Sequence, residues 1–251
     1  MQLGRIVRLS IVILGVAGAA VAAEEPTIAD AAEQSDGVLV RTLLDAGADV
    51  NIPQVDGMTA LHWAVYHGDP ETAGLLVRSG AEVNAQNHYG VPPLSMAATN
   101  ADAQIVTLLL DAGADANAVL RGGETVLMTA ARTGSLGAVR ALLAHGADPN
   151  ATEARNQTAL MWAAAEGHAA VAHALAEGGA DIHATLESGF TPMFFAVREG
   201  HIDVVHTLLE AGNDVNELLQ RVKNGPDRTV NNASYRPVDD GISPLLMAVR
   251  N

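Results

Sequence analysis

The chain has no cysteine, very few aromatic residues and far fewer basic than acidic side chains. Without cysteine there is no disulfide, no thiolate nucleophile and no cysteine-ligated metal. The aromatic share is 3%, and 14 lysines and arginines stand against 29 aspartates and glutamates, so the 251 residues carry a net charge of −15 at pH 7. Such a charge repels phosphate groups. We therefore expect neither a nucleic acid nor an anionic membrane as partner, whereas basic proteins are permitted and solubility is favoured.

A period of 33 residues runs through most of the chain. Ala-Asp-Val-Asn follows Gly47, and close variants of it follow each later glycine of the series Gly47, Gly80, Gly113, Gly146, Gly179 and Gly212. A second motif runs in step with the first, as Thr-Ala-Leu-His from Thr59 and Thr-Pro-Met from Thr191. A fixed period of this length indicates an array of similar stacked units.

The two motifs together resemble the ankyrin repeat, whose unit has the form Gly-x-Thr-Pro-Leu-His-x-Ala followed later by Gly-Ala-Asp-Val-Asn. The resemblance covers roughly residues 26–251 and implies an all-α ankyrin-repeat solenoid. Each unit would be a helix, a turn, a second helix and a hairpin-like finger.

The residue types agree with this arrangement. Thr191 is expected to cap a helix with its hydroxyl, with Pro192 at the first helical position. Asp214 and Asn216 are expected to bond their own backbone in the turn after the second helix. Glycines suit the left-handed turn between the two helices, at Gly68, Gly134, Gly167 and Gly200.

Residues 1–23 have a different character. Arg5 and Arg8 precede an uncharged run that ends in small residues, which predicts a secretory signal peptide. The run is shorter than the roughly 20 residues that span a bilayer, so we expect no membrane insertion after cleavage. We expect export, to a bacterial periplasm or the extracellular space, and loss of the two arginines would bring the net charge to −17.

The period also divides the rest of the chain. Residues 24–57 are expected to form an N-terminal capping repeat, 58–218 five ankyrin repeats, 219–240 an extended finger insertion and 241–251 the first helix of an incomplete seventh repeat. The insertion is either a contact loop or a tolerated lengthening of a surface loop. Because a second helix is missing after Asn251, we expect the natural product to continue with more repeats.

No pattern of catalytic or metal-binding residues emerges. A phosphate-binding glycine loop and a nucleophile elbow are both missing. Histidines five residues apart point to different faces of a helix, a poor geometry for one metal. We therefore expect structural roles for the pairs His62/His67, His168/His173 and His201/His206, and no catalytic, cofactor or metal site.

The eight aromatic residues lie in fingers, in first helices or in the insertion, and none lies in a second helix. In the ankyrin family, fingers and first helices line the concave face that binds partners. Trp63, Trp162 and Phe195 share one repeat position and are expected to pack between helices. The candidate recognition surface is a mixed aromatic and basic strip of Tyr66, His67, His88, Tyr89, Arg121, Arg132, Arg155, Phe190 and Arg198, with Arg221 and Tyr235 added from the insertion.

These features predict a non-catalytic scaffold that binds an unidentified protein partner through its concave face and fingers. Three alternatives stay open: an accessory protein that protects a periplasmic enzyme, the targeting half of a larger enzyme that continues beyond residue 251, and an effector delivered into another cell. A complete gene sequence separates the second of these from the others.

The assignment of residues to repeat positions, which we call the register, can be tested at an interior leucine of a second helix. Leu109→Ala or Leu142→Ala is expected to lower the free energy of unfolding by about 2–5 kcal/mol, because truncation leaves a cavity in the stacked core. Urea titration measures the change, and an unchanged midpoint would contradict the register.

Overall fold

The computed structural model describes residues 26–216 and 243–245. Over residues 26–216 the chain forms six helix pairs and no β-strand, apart from one isolated bridge between Val119 and Thr125. The helices are α1 Ile28–Glu33, α2 Gly37–Asp45, α3 Ala60–Tyr66, α4 Pro70–Arg78, α5 Pro93–Thr99, α6 Ala103–Asp111, α7 Val126–Arg132, α8 Leu136–Ala144, α9 Ala159–Glu166, α10 Ala169–Glu177, α11 Pro192–Glu199 and α12 Ile202–Glu210. The predictions for residues 1–23 and 219–240 lie outside the described residues.

The helices form two layers. Each first helix packs on the first helix of the next unit, from α1 to α11, and on the second helix of its own unit. The second helices pack in the same way from α4 to α12. The all-α prediction is confirmed, and within the described part of the chain no helix has both the length and the apolar character needed to cross a membrane.

The core consists of rows of side chains from equivalent positions. One row comes from the first helices and is at most 1% exposed: Ile28, Leu61, Leu94, Leu127, Leu160 and Met193. A second row comes from the second helices and is completely buried: Leu76, Leu109, Leu142, Leu175 and Leu208. Small alanines such as Ala97 and Ala130 let neighbouring first helices approach closely. The core is therefore shared between units rather than enclosed within one.

Threonine caps begin most of the first helices. The hydroxyls of Thr27, Thr59, Thr125 and Thr158 accept a hydrogen bond from the third amide of their helix. The prediction that Thr191 does the same is wrong, because its Oγ1 has no partner within the described residues. At the start of that helix, Pro192 supplies a backbone already restrained to the helical angle. The Phe195 N–H donates to the Thr191 carbonyl at 3.2 Å.

Turns between the two helices of a unit bind the unit before. The Nε2 atoms of His168 and His201 donate to the carbonyls of Arg132, at 3.1 Å, and Ala165, at 2.9 Å. Each ring lies over the turn glycine of the preceding unit, where a Cβ would approach it to 2.6 Å. These two histidines therefore have the structural role that was predicted for them.

An asparagine ladder joins successive fingers. At each of four positions the side-chain Nδ2 donates to a glycine carbonyl of the next unit, and the Oδ1 accepts an amide there. Asn117, for example, donates to the Gly146 carbonyl at 2.9 Å and accepts from the Asp148 N–H at 2.8 Å. The four residues are Asn51, Asn84, Asn117 and Asn150.

The ladder refines the expectation for these turns. The aspartate part is confirmed, since Asp214 Oδ1 accepts the Asn216 N–H within its own turn at 2.8 Å. The Asn216 side chain donates to Asp214 Oδ1 at 3.1 Å rather than to its own backbone, and the asparagines of the ladder bind across the unit boundary. Their bonds fix the position of each finger relative to the next.

We expect Asn117→Ala to lower the free energy of unfolding by about 1–2 kcal/mol, because it removes two hydrogen bonds between units. The free energy of unfolding of Asn117→Asp should lie between those of Asn117→Ala and the parent, since aspartate keeps the acceptor and loses the donor. Thr152→Ala, an exposed change on a neighbouring finger, serves as the control and should stay within about 0.5 kcal/mol. Equal values for Asn117→Ala and the control, measured by urea titration, would mean that the ladder contributes no stability.

Candidate partner-binding surface

The candidate residues lie on one side of the array, which we call the finger side: the fingers together with the first helices. Tyr66, Arg132 and Arg198 share one repeat position near the ends of α3, α7 and α11. His88 and Arg121 share a second position, at the finger tips. Equivalent positions form rows across stacked units, so these residues follow common lines along the array. Arg221 and Tyr235 lie outside the described residues.

At the N-terminal end, three rings pack together at the end of α3. Trp63 meets Tyr66 edge-on, with ring centroids 5.6 Å apart, and stacks on His67 at 6.0 Å. Tyr66 is 58% exposed, whereas Trp63 is half-buried against the core. His67 Nε2 donates to the Glu33 carbonyl at 2.8 Å, which gives His67 a structural bond in addition to its position on the finger side.

Gln54 connects this ring cluster to two carboxylates on α1. The Trp63 Nε1–H donates to Gln54 Oε1 at 2.7 Å, which sets the orientation of the Gln54 amide. Its Nε2 then donates to Asp30, at 2.8 Å, and to Glu33, at 2.7 Å. The bond from Gln54, followed by bonds from Thr27, lowers the pKa of the Asp30 carboxyl below its usual value. Asp30 therefore stays ionised at neutral pH.

In the middle of the array, neighbouring finger tips are joined to each other. The His88 N–H donates to the Asp56 carbonyl at 2.9 Å, and Arg121 Nη2 donates to the His88 carbonyl at 3.3 Å. Tyr89, beside His88, is 69% exposed. Tyr89 is thus held on a fixed backbone with its ring available to a partner.

The C-terminal end carries a second aromatic cluster. Phe190 lies 5.8 Å from Phe194 and 5.6 Å from Phe195, between ring centroids. The Arg198 guanidinium lies over the rings of Phe190 and Phe195, at 5.5 and 5.1 Å, and contacts Glu199 at 2.7 Å. Phe195 is buried and Trp162, at the same repeat position, packs half-buried against the core. The predicted packing of these two residues and Trp63 is confirmed.

The structure divides the predicted strip into separate clusters. Arg121 binds a carbonyl, Arg132 lies 3.6 Å from Glu124, and Arg198 contacts Glu199. Much of the basic character of the strip is therefore matched by neighbouring acceptors. Arg155, like Tyr89, is exposed at a finger tip.

Gln54, Asp30 and Glu33 were missed by the sequence analysis. Gln54 occupies a finger position that holds Asn87, Leu120, Glu153 and Leu186 in the other units, so no repeated motif marks it. A signal was nevertheless present in the distribution of charge: the first helices of the first three units and the first two fingers contain acidic residues and no lysine or arginine.

His62 is buried at the start of α3. Its Nδ1 accepts the Thr59 N–H at 3.2 Å, and its Nε2 therefore carries the proton and donates to the Val91 carbonyl at 3.0 Å. Burial lowers the pKa of His62 from its usual value of 6.5, although the bond to Val91 and the Asp56 charge act in the opposite direction. His62 is thus a neutral structural residue at pH 7. Within the described ranges, no group of three or more histidine, cysteine, aspartate or glutamate side chains is arranged to hold a metal ion.

Comparisons with known proteins point to one family. The family model described as ankyrin repeats in three copies matches the chain over residues 23–87, 62–153, 94–186 and 127–218. The crystal structure of the human ASB11 ankyrin repeat domain is similar to this chain, with a TM-score of 0.70 and 24% sequence identity over 89% of this chain and 92% of that one. At that identity the likeness shows the fold alone. A search of curated proteins found no match.

The burial of His62 predicts a pH-dependent stability. Because its folded pKa lies below 6.5, the unfolded chain takes up a proton first, and the stability contribution present above pH 6.5 is lost as the pH falls through the folded pKa. His62→Met, which copies Met128 and Met161 at the same repeat position, should remove this loss. We expect the stability of the parent relative to His62→Met to decline between about pH 8 and pH 5.

Urea titrations across that range measure the difference, and His206→Gln is the control because His206 is exposed on the second helix α12. A difference between parent and His62→Met that stays constant with pH would contradict the assignment of a neutral buried histidine.

Proposed function

From the membership of this chain in the ankyrin repeat family, which the family match over residues 23–218 shows, we infer that it is a protein-binding scaffold without catalytic activity of its own. Ankyrin repeats are generally protein-interaction modules. The observation that carries the proposal for this chain is the exposure of Tyr66 and Tyr89, at 58% and 69%, on the finger side. Exposed tyrosines on a rigid support are frequent anchors of protein interfaces.

The way the finger side is supported favours binding of this kind. The asparagine ladder and the bonds between finger tips hold the surface in place before a partner arrives. A preorganised surface loses little conformational entropy on binding. The rows between the helices are filled by apolar side chains.

The leader-like residues 1–23 place this activity, in our proposal, outside the cytoplasm. The partner is then an exported protein, and protection of a periplasmic enzyme is one form that such binding would take. In the other form, the array would bind such a partner in order to target a catalytic domain that lies beyond residue 251.

The proposal is tested by replacing three finger-side residues from separate units: Tyr89→Ala, Arg132→Gln and Phe190→Leu. Leucine is chosen at 190 because the ring packs half-buried on Phe194 and Phe195. In affinity capture from extracts of the native cells, a protein recovered by the parent chain should be lost with the triple variant.

A matched triple variant on the second helices provides the control: Val38→Ala, Arg140→Gln and Ile202→Ala. Val38 and Ile202 are 76% and 68% exposed, and Arg140 is exposed as well, so these changes also leave the core intact. If the first triple variant still captures the protein and the second does not, the partner binds the second helices rather than the finger side.

A further inference from the structure

The N-terminal end of the finger side presents an exposed apolar surface. Val55 is 96% exposed, and Tyr66 and Tyr89 are also among the most exposed large apolar side chains of the described residues. The bond from the His88 N–H to the Asp56 carbonyl, at 2.9 Å, holds the finger tip that carries Tyr89 against the tip that carries Val55. The two finger tips are therefore adjacent.

An open groove of about 680 Å³ adjoins this surface, between α1 and the first finger. The lining residue Gln54 accepts the Trp63 Nε1–H at 2.7 Å, and Tyr66 packs on Trp63, so the ring cluster at the end of α3 is joined to the groove through Gln54. We call this site the N-terminal groove; it is lined by Thr27, Asp30, Pro53, Gln54, Val55 and Asp56.

The charge around the groove has one sign. Residues 26–35, 47–67 and 80–99, which contain the first helices of the first three units and the first two fingers, include no lysine or arginine. The acidic residues in these stretches are Asp30, Glu33, Asp49, Asp56 and Glu82. The corresponding stretches farther along, residues 113–132, 146–166 and 179–199, contain eight acidic residues together with four arginines, namely Arg121, Arg132, Arg155 and Arg198. The N-terminal end of the finger side is therefore the part without a cation of its own, although its net charge of −5 is close to the 4 − 8 = −4 of the later stretches.

The carboxylates at the groove are held by neutral groups. Asp30 and Glu33 both accept a bond from the same Gln54 nitrogen, which brings two negative charges close together. Asp56 accepts the Met58 N–H at 3.0 Å. No lysine or arginine of the described chain lies within ion-pair distance of these three carboxylates, in contrast to Glu124 and Glu199 farther along the array. A positive charge supplied from outside would be attracted to Asp30 and Glu33, which share one neutral donor.

We propose that the N-terminal groove docks an extended basic segment of a partner protein, with an apolar side chain against Val55, Tyr66 and Tyr89 and a lysine or arginine at Asp30 and Glu33. The proposal rests on the scaffold function proposed above and narrows it to one end of the array and one class of partner. The exposed tyrosine rings favour the same chemistry, because an aromatic face attracts a cationic side chain.

A phage-displayed library of random peptides, selected on the full chain, tests the chemistry of the site. Selected peptides should be enriched in lysine or arginine next to an apolar residue. One enriched peptide is then synthesised, labelled with fluorescein and titrated by fluorescence anisotropy. Failure to enrich any peptide, or enrichment of peptides without basic residues, would overturn the proposal.

Two variants locate the binding. Glu33→Gln with Asp56→Asn removes two charges while keeping oxygen acceptors for Gln54 and Met58, and Tyr66→Ala with Tyr89→Ala removes the exposed rings. Each is expected to weaken binding of the peptide at least tenfold. The matched control, Asp45→Asn with Glu210→Gln, removes the same two charges from exposed positions on second helices and should change the affinity by less than twofold.

A control that weakens binding as much as Glu33→Gln with Asp56→Asn would show general attraction to an acidic protein and would refute the groove as the site. The scaffold function is judged separately, by the native protein captured in the previous experiment. A native partner that is lost with the Tyr89, Arg132 and Phe190 variant but retained by both groove variants would uphold the scaffold and refute the groove. Loss of neither native partner nor peptide with any finger-side variant would refute both.

Discussion

No unit of this protein can bury its own apolar face, and the rest of the structure follows from that constraint. The leucines of the second helices, such as Leu109 and Leu142, are completely buried because the neighbouring unit covers them. Every unit must therefore keep the same helix lengths and the same spacing as its neighbours. Because the core uses equivalent positions repeatedly, it has little freedom to vary, and the differences between units are found on the fingers and at the ends of the first helices. A surface that recognises one partner has to be built from those differences.

Apolar stacking alone would allow units to slide or rotate, and two sets of polar bonds remove that freedom. Asn117 and its equivalents bind the next finger through both atoms of the amide. On the opposite side of each first helix, residues of the helix-to-helix turn, such as His168, bind a carbonyl of the unit before. These bonds replace the disulfides that a chain without cysteine cannot form. They also explain how exposed rings such as Tyr89 can occupy defined positions although little of their own surface is packed.

The sequence predicted what repeats and missed what does not. The helix pairs, the buried leucine row and the left-handed turn glycines were predictable. Each is specified by residue types that recur at one repeat position, so the pattern is clear even where a single unit departs from it. The bond network of Gln54 was not predictable, since it joins Trp63, Asp30 and Glu33 from two units and has no equivalent elsewhere in the chain. The hydroxyl of Thr191 shows the opposite error, because a recurring residue type there does not make the recurring bond. The predicted basic strip failed to anticipate that Arg132 and Arg198 would lie beside Glu124 and Glu199, which depends on side-chain directions rather than on register.

Net charge is a poor description of such an elongated surface. The value of −15 is a sum over the chain, whereas a partner responds to charges within a screening length of about 8 Å at physiological salt. Directly packed helices lie roughly 8–10 Å apart, so α1 and α7, with α3 and α5 between them, are separated by several screening lengths. Asp30 and Glu33 on α1 therefore act independently of Arg132 on α7. The N-terminal end of the finger side carries carboxylates and no lysine or arginine, whereas the later stretches mix four arginines with eight acidic residues, so the two ends differ in how charge is arranged rather than in its sum.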